Sequence, residues 1–173
     1  MKYIFYKNTE HGVTYIELLI YIAIVTTMMT GLIHFAWNVI EGAAKSKTQQ
    51  EVYSQARYVT ERIKYEIRNA SGITPSGVSA TSISLTETVA ANNPTVIDLS
   101  GGNIRIKQGA SAAVALNSQD TAVNSLTFTN YSSLDNKTKH IGFTFTMVAN
   151  LASTRQEFKE SVPIRGSAEL RSN

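Results

Sequence analysis

Between Val13 and Ile40 the chain has a single side chain charged at neutral pH, Glu17. As an α-helix those 28 residues are roughly 42 Å long at a rise of about 1.5 Å each, against roughly 30 Å of hydrocarbon in a bilayer. A small globular domain has no interior deep enough to bury such a rod on every side. The run therefore predicts a helix whose first half protrudes from the folded body, into a membrane or against other apolar surfaces.

Glu17 separates three readings of this run. An ordinary secretory signal has an apolar stretch of about 7 to 15 residues without an acid, then a small-residue cleavage site. Here the stretch is longer and carries a carboxylate, although Gly42-Ala43-Ala44 has the small residues of such a site. A plain membrane anchor fits the length and gives no reason for an acid one turn into the helix. Insertion tolerates it: the 13 Leu, Ile, Val and Phe residues of the run contribute about −0.3 to −0.6 kcal/mol each at best, against roughly +2.5 to +3.5 for a central carboxylate and less near an end. An ionisable group in a membrane segment is either a functional residue with a partner or a carboxylate solvated among headgroups.

The third reading comes from a resemblance. Gly12-Val13-Thr14-Tyr15-Ile16-Glu17-Leu18-Leu19 resembles the cleavage and methylation motif of type IV pilin-like proteins, in which a Gly precedes the scissile bond and a Glu stands fifth in the mature chain. The resemblance implies a leader, residues 1–12, carrying Lys2, Lys7, Glu10 and His11. It stays on the cytoplasmic side, as the lysines suit, and is removed between Gly12 and Val13 by the prepilin peptidase. It also implies N-methylation of Val13, a single-pass hydrophobic transmembrane and assembly helix over 13–40 in the cytoplasmic (inner) membrane, and a periplasmic or cell-surface head over 41–173. Glu17 is then the assembly charge that neutralises the α-amino group of a neighbouring subunit, since two charges that are each penalised in a dry environment become tolerable together. The partners implied are other pilin or pseudopilin subunits, the peptidase and the membrane. The sequence departs from the family at Val13, where Phe is usual, and at Tyr15, where Leu is usual.

After Glu41 the apolar run ends but helical periodicity continues. Val52, Ala56, Val59, Ile63, Ile67 and Ala70 recur with a mean step near 3.6, one apolar face. Arg57, Glu61, Lys64 and Arg68 fall on another, with Arg57–Glu61 and Arg62–Glu66 spaced for weak i,i+4 pairs on a solvated or inter-subunit side. Asn69-Ala70-Ser71-Gly72-Ile73-Thr74-Pro75 supplies a stop, with Gly72 in a left-handed cap. The predicted helix runs from about 13 to 71.

Beyond it, period-two alternation marks half-buried strands. They lie around Ile83 and Leu85, at Val96–Leu99, Ile104–Ile106, Ser125–Tyr131, His140–Val148 and Phe158–Ile164. Ser100-Gly101-Gly102-Asn103 is a tight hairpin, since Gly-Gly accepts positive φ, and Asp135-Asn136-Lys137 is a turn. The fold class is α+β, pilin-like: a long helix packed on an antiparallel sheet. The helix end and late strands, through Val162-Pro163-Ile164-Arg165, resemble minor pilins and J-type minor pseudopilins, with Gly166 where Asn is common.

The remaining composition removes other classes. One domain suits 173 residues; 17% charged side chains and a net charge of +3, scattered along the chain, leave no electrostatic footprint for nucleic acid. With no cysteine there is no disulfide, thiolate metal site, cysteine nucleophile or lipid attachment through sulfur. His11, His34 and His140 fall in the leader, the apolar run and a strand, and no catalytic motif is present, so the chain reads as no enzyme and carries no cofactor. His34 lacks neighbouring ligands and reads as an interfacial or packing residue; Trp37, with Phe35, reads as an interfacial anchor. Glu87, Asp98, Asp120 and Asp135 have no calcium-loop spacing and read as solvated acids, so no metal is expected. The alternative function is a membrane-tethered head with adhesive or DNA-binding loops.

Overall fold

The computed structural model describes residues 12–74, 81–133, 138–150 and 159–171. The fold is α+β: one long helix, α1, Tyr15–Asn69, followed by antiparallel strands. The chain divides into two compact units, Met1–Gly42 and Ala43–Asn173.

In the first unit every residue from 12 to 40 is exposed. Its large apolar side chains range from 47% exposed at Leu19 to 78% at Tyr15. Leaving a Leu or Ile in water forfeits about 1.5–3 kcal/mol, so this surface demands an apolar environment. The helix is long and apolar enough to cross a membrane once, with a mean hydropathy of 2.0 over its 18-residue window. Its threonines are already satisfied: Thr26, Thr27 and Thr30 donate their hydroxyls to the carbonyls of Ile22, Ala23 and Thr26 at 2.9, 2.8 and 2.9 Å. A hydroxyl bonded inside its own helix avoids the penalty of an unpaired polar group in hydrocarbon.

In the second unit the expected apolar face is buried. Val52, Ala56, Val59, Ile63 and Ile67 of α1, and Ala70 just beyond it, are each 1% exposed or less. The strands are β1 (Gly72–Thr74), β2 (Ser82–Thr86), β3 (Thr95–Ser100), β4 (Asn103–Gln108), β5 (Val114–Ala115), β6 (Thr121–Asn130), β7 (His140–Ala149) and β8 (Ser161–Glu169). They form two sheets where one was expected: β1-β2-β3-β4-β5 and β6-β7-β8, both antiparallel. Alternation reports which face of a strand is buried and is silent on its neighbours. Both sheets contribute to the core, with Leu85, Ile97, Ile104, Leu126, Phe143, Phe145 and Met147 buried alongside the helix face.

The β3–β4 hairpin has the expected tip, Ser100 opposite Asn103, with Gly101 and Gly102 at φ 58° and 77°. Two positive φ angles in a two-residue loop match strand twist, and glycine takes them without strain. Asn117, 7% exposed, joins the sheets: its Oδ1 accepts the Ile104 N–H at 2.9 Å and its Nδ2 donates to the Thr121 carbonyl at 2.8 Å.

Three expectations are corrected. Gly72 does not cap the helix with a positive φ; it opens β1, whose pairing with β2 takes the chain straight from helix to strand. Strand β6 begins at Thr121, four residues before the expected Ser125, because a bulge between Val123 and Ser125 flips the alternation. Thr121 and Val123 point inward before it, Leu126 and Phe128 after it, which hides the strand from a period-two reading. Strand β8 continues past Ile164 to Glu169, an edge position where Pro163 is tolerated. The turn at 135–137, Phe158 and Pro75 lie outside the described residues.

Candidate functional site

Gly12, Val13 and Thr14 precede the helix, and Val13 is 67% exposed. A Cβ added at Gly12 would meet no atom of the described residues within 4 Å, and its φ is not positive. Neither crowding nor backbone conformation requires glycine there. The Gly12–Val13 bond is flanked by exposed residues on both sides. Residues 1–11, including Lys2 and Lys7, lie outside the described residues.

Glu17 sits in the first turn of α1. The Thr14 hydroxyl accepts the Glu17 N–H at 3.4 Å, and the Thr14 carbonyl accepts the Leu18 N–H at 3.1 Å. Thr14 is therefore the N-cap, and Thr14-x-x-Glu17 has the spacing of a capping box. A carboxylate at the helix N-terminus also meets the positive end of the dipole, a gain of about 0.3–1 kcal/mol. The plain-anchor reading thus acquires a local reason for the acid that the sequence reading lacked, and the Thr-x-x-Glu spacing was the signal for it. The carboxylate remains exposed, touched by the Tyr21 hydroxyl donating to Oε1 at 3.4 Å. In hydrocarbon that single hydrogen bond and the helix dipole leave most of its charge uncompensated.

His34 and Trp37 are exposed on the same unit. Among the described residues no three His, Cys, Asp or Glu side chains converge as metal ligands. Of the acids considered for calcium, Asp135 lies outside the described residues. Asp98 pairs across β3–β4 with Arg105, its two oxygens accepting at 2.9 and 2.8 Å. Glu87 is no solvated loop acid: its Oε1 is buried without a hydrogen-bond partner among the described residues.

Glu66, expected to pair with Arg62 on a solvated or inter-subunit side, does pair with it, at 2.6 Å, yet is itself 3% exposed within the chain. It also accepts from Gln108 Nε2 at 3.4 Å. Burial pushes its carboxyl above the usual range, against the Arg62 guanidinium and the Gln108 hydrogen bond, which pull it down. Burial also raises Glu87, and the neighbouring Glu66 charge adds to the rise. Glu61, expected opposite Arg57, instead pairs with Lys64 at 3.0 Å. A groove of about 740 Å³ lies between the end of α1 and the end of β8, bordered by Tyr65, Arg68, His140, Ser167, Glu169 and Arg171.

No family model, curated protein or solved structure matches the chain.

Proposed function

We propose that the chain is a structural subunit of a type IV pilus or type II secretion-like filament, processed after Gly12, anchored by the apolar half of α1 and assembled through it. It most resembles a minor pilin or minor pseudopilin. The observation that carries this reading is the combination at the start of α1. A glycine that the fold does not require directly precedes an exposed Val13, and an exposed carboxylate stands four residues later in a helix otherwise built for hydrocarbon. Capping explains a local preference for an acid at Glu17. It leaves unexplained why a membrane helix keeps the net charge, which a neighbour's α-amino group would balance.

Intact mass of the protein recovered from membranes tests the cleavage: the expected chain begins at Val13. A chain beginning at Lys45 would return the secretory-signal reading and overturn this one. Glu17→Gln tests the assembly role. It preserves size and removes charge, so cleavage and membrane content should match the wild type while filament content falls. Thr14→Ala, which removes the cap and leaves the carboxylate, should leave filament content nearly unchanged. Equal loss in both variants would assign Glu17 to helix capping alone.

A further inference from the structure

Strand β8 is an edge strand, and its free side can be identified from hydrogen-bond parity. The Ala149 N–H donates to the Glu160 carbonyl at 3.0 Å, and the Leu170 N–H to the Lys139 carbonyl at 2.9 Å. Main-chain groups alternate sides along an antiparallel strand, so the even-numbered residues of β8 bond towards β7 and the odd-numbered ones face away. Pro163, which has no N–H, occupies one of those outward positions, where the ladder loses nothing. At the far end the outward N–H of Arg171 donates to the Arg68 carbonyl at 3.2 Å, closing the edge against the helix terminus. Between these two stops the outward N–H groups of Arg165, Ser167 and Glu169 have no partner among the described residues.

That open stretch borders the groove described above, whose opposite wall is α1 through Tyr65 and Arg68. Tyr65 is 57% exposed, an aromatic surface without cover. Arg68, Arg165 and Arg171 have no ion-pair partner among the described residues, whereas Glu61 at the rim is held by Lys64. The lining carboxylates Glu61 and Glu169 stand against Arg68 and Arg171 in the lining, with Lys64 on Glu61 and Arg165 further along the strand, so the local balance is positive. Natural edges are blunted by proline, charge or cover; here Pro163 protects only the first part of the strand.

We propose that this groove is a docking site for an extended, acidic segment of a partner protein, which adds to β6-β7-β8 as a fourth strand. Residues 165–169 offer a ladder of about 17 Å at roughly 3.4 Å per residue. Backbone bonding to this edge supplies affinity, and the helix wall selects side chains. An acid near the end of the added strand meets Arg68 and Arg171, and an apolar or aromatic residue covers Tyr65. The proposal is independent of whether the chain assembles into a filament.

The test is a display library of random nine-residue peptides, selected against the full chain in detergent micelles, with affinities measured for the winning peptides. Peptides carrying Asp or Glu should be enriched, and their binding should shift the amide signals of residues 165, 167 and 169. Arg68→Glu, an exposed substitution, should weaken them by about tenfold or more. N-methylation of alternate peptide amides should abolish binding in one of the two phases, because it removes the donors facing β8. Selection of peptides without acids, no selection at all, or binding indifferent to both changes would overturn the proposal. So would a chain that is dimeric in micelles with those three amides protected from exchange, since a second copy would then already hold the edge.

Discussion

The two halves of α1 share one backbone and have opposite relations to water. From 15 to 40 apolar side chains lie on all sides of the helix, with Glu17 the single charge, and all are exposed; from 52 to 67 a single stripe is apolar and that stripe is fully buried. A stripe can be satisfied by the chain's own sheets, whereas a helix apolar on every side needs a solvent that is itself apolar. The contrast assigns solubility to one half and tertiary stability to the other.

Removing residues 1–40 is the strongest way to break that contrast. The remaining chain should become soluble without detergent and keep its helix and sheet signals, as sedimentation and circular dichroism would show. An aggregated product would mean that the first half also supports the head. Truncating the buried stripe gives the next largest effect. Ile63→Ala should cost about 2–5 kcal/mol and Phe143→Ala about 3–5 in urea unfolding of the head. Ile24→Ala, in the exposed half, should leave that unfolding transition within about 0.5 kcal/mol of the parent.

Within the head, Gly166 sharpens the comparison because its position is fixed by contact. A Cβ there would overlap the ring of Phe143, the residue paired with it across β7–β8. Gly166→Ala should therefore destabilise by about 1–3 kcal/mol through overpacking, while Gly31→Ala, whose Cβ would meet no atom within 4 Å, should leave the head unchanged. A neutral Gly166→Ala would show that the Phe143 ring moves freely.

The smallest effect is electrostatic. Glu66 and Glu87 titrate above the usual carboxylate value of 4.5 in the folded head, through burial first and mutual repulsion second for Glu87. A folded-state value above the unfolded one means that their contribution is fully present below the unfolded value and is lost as pH rises through the folded one. Glu87→Gln should therefore stabilise the head at pH 7, and the difference from the parent should shrink at pH 4. A difference independent of pH, measured by urea midpoints at both values, would show that folding does not raise the Glu87 carboxyl.

Local features were legible without coordinates. The apolar run, the buried stripe Val52 to Ile67 and the Gly101-Gly102 tip each depend on residues within a few positions of one another, and periodicity and φ preference act at that range. The Thr14-x-x-Glu17 cap is equally local, carried by residues three positions apart. What only tertiary structure decided were the long-range pairings. It split the strands into two sheets, turned Gly72 into a strand residue and set the bulge at residue 124. It also placed β4 over Glu66, burying an acid that its neighbours on the helix suggested was solvated. The groove at β8 belongs to the same class, because an edge exists only once every other strand has chosen its partner.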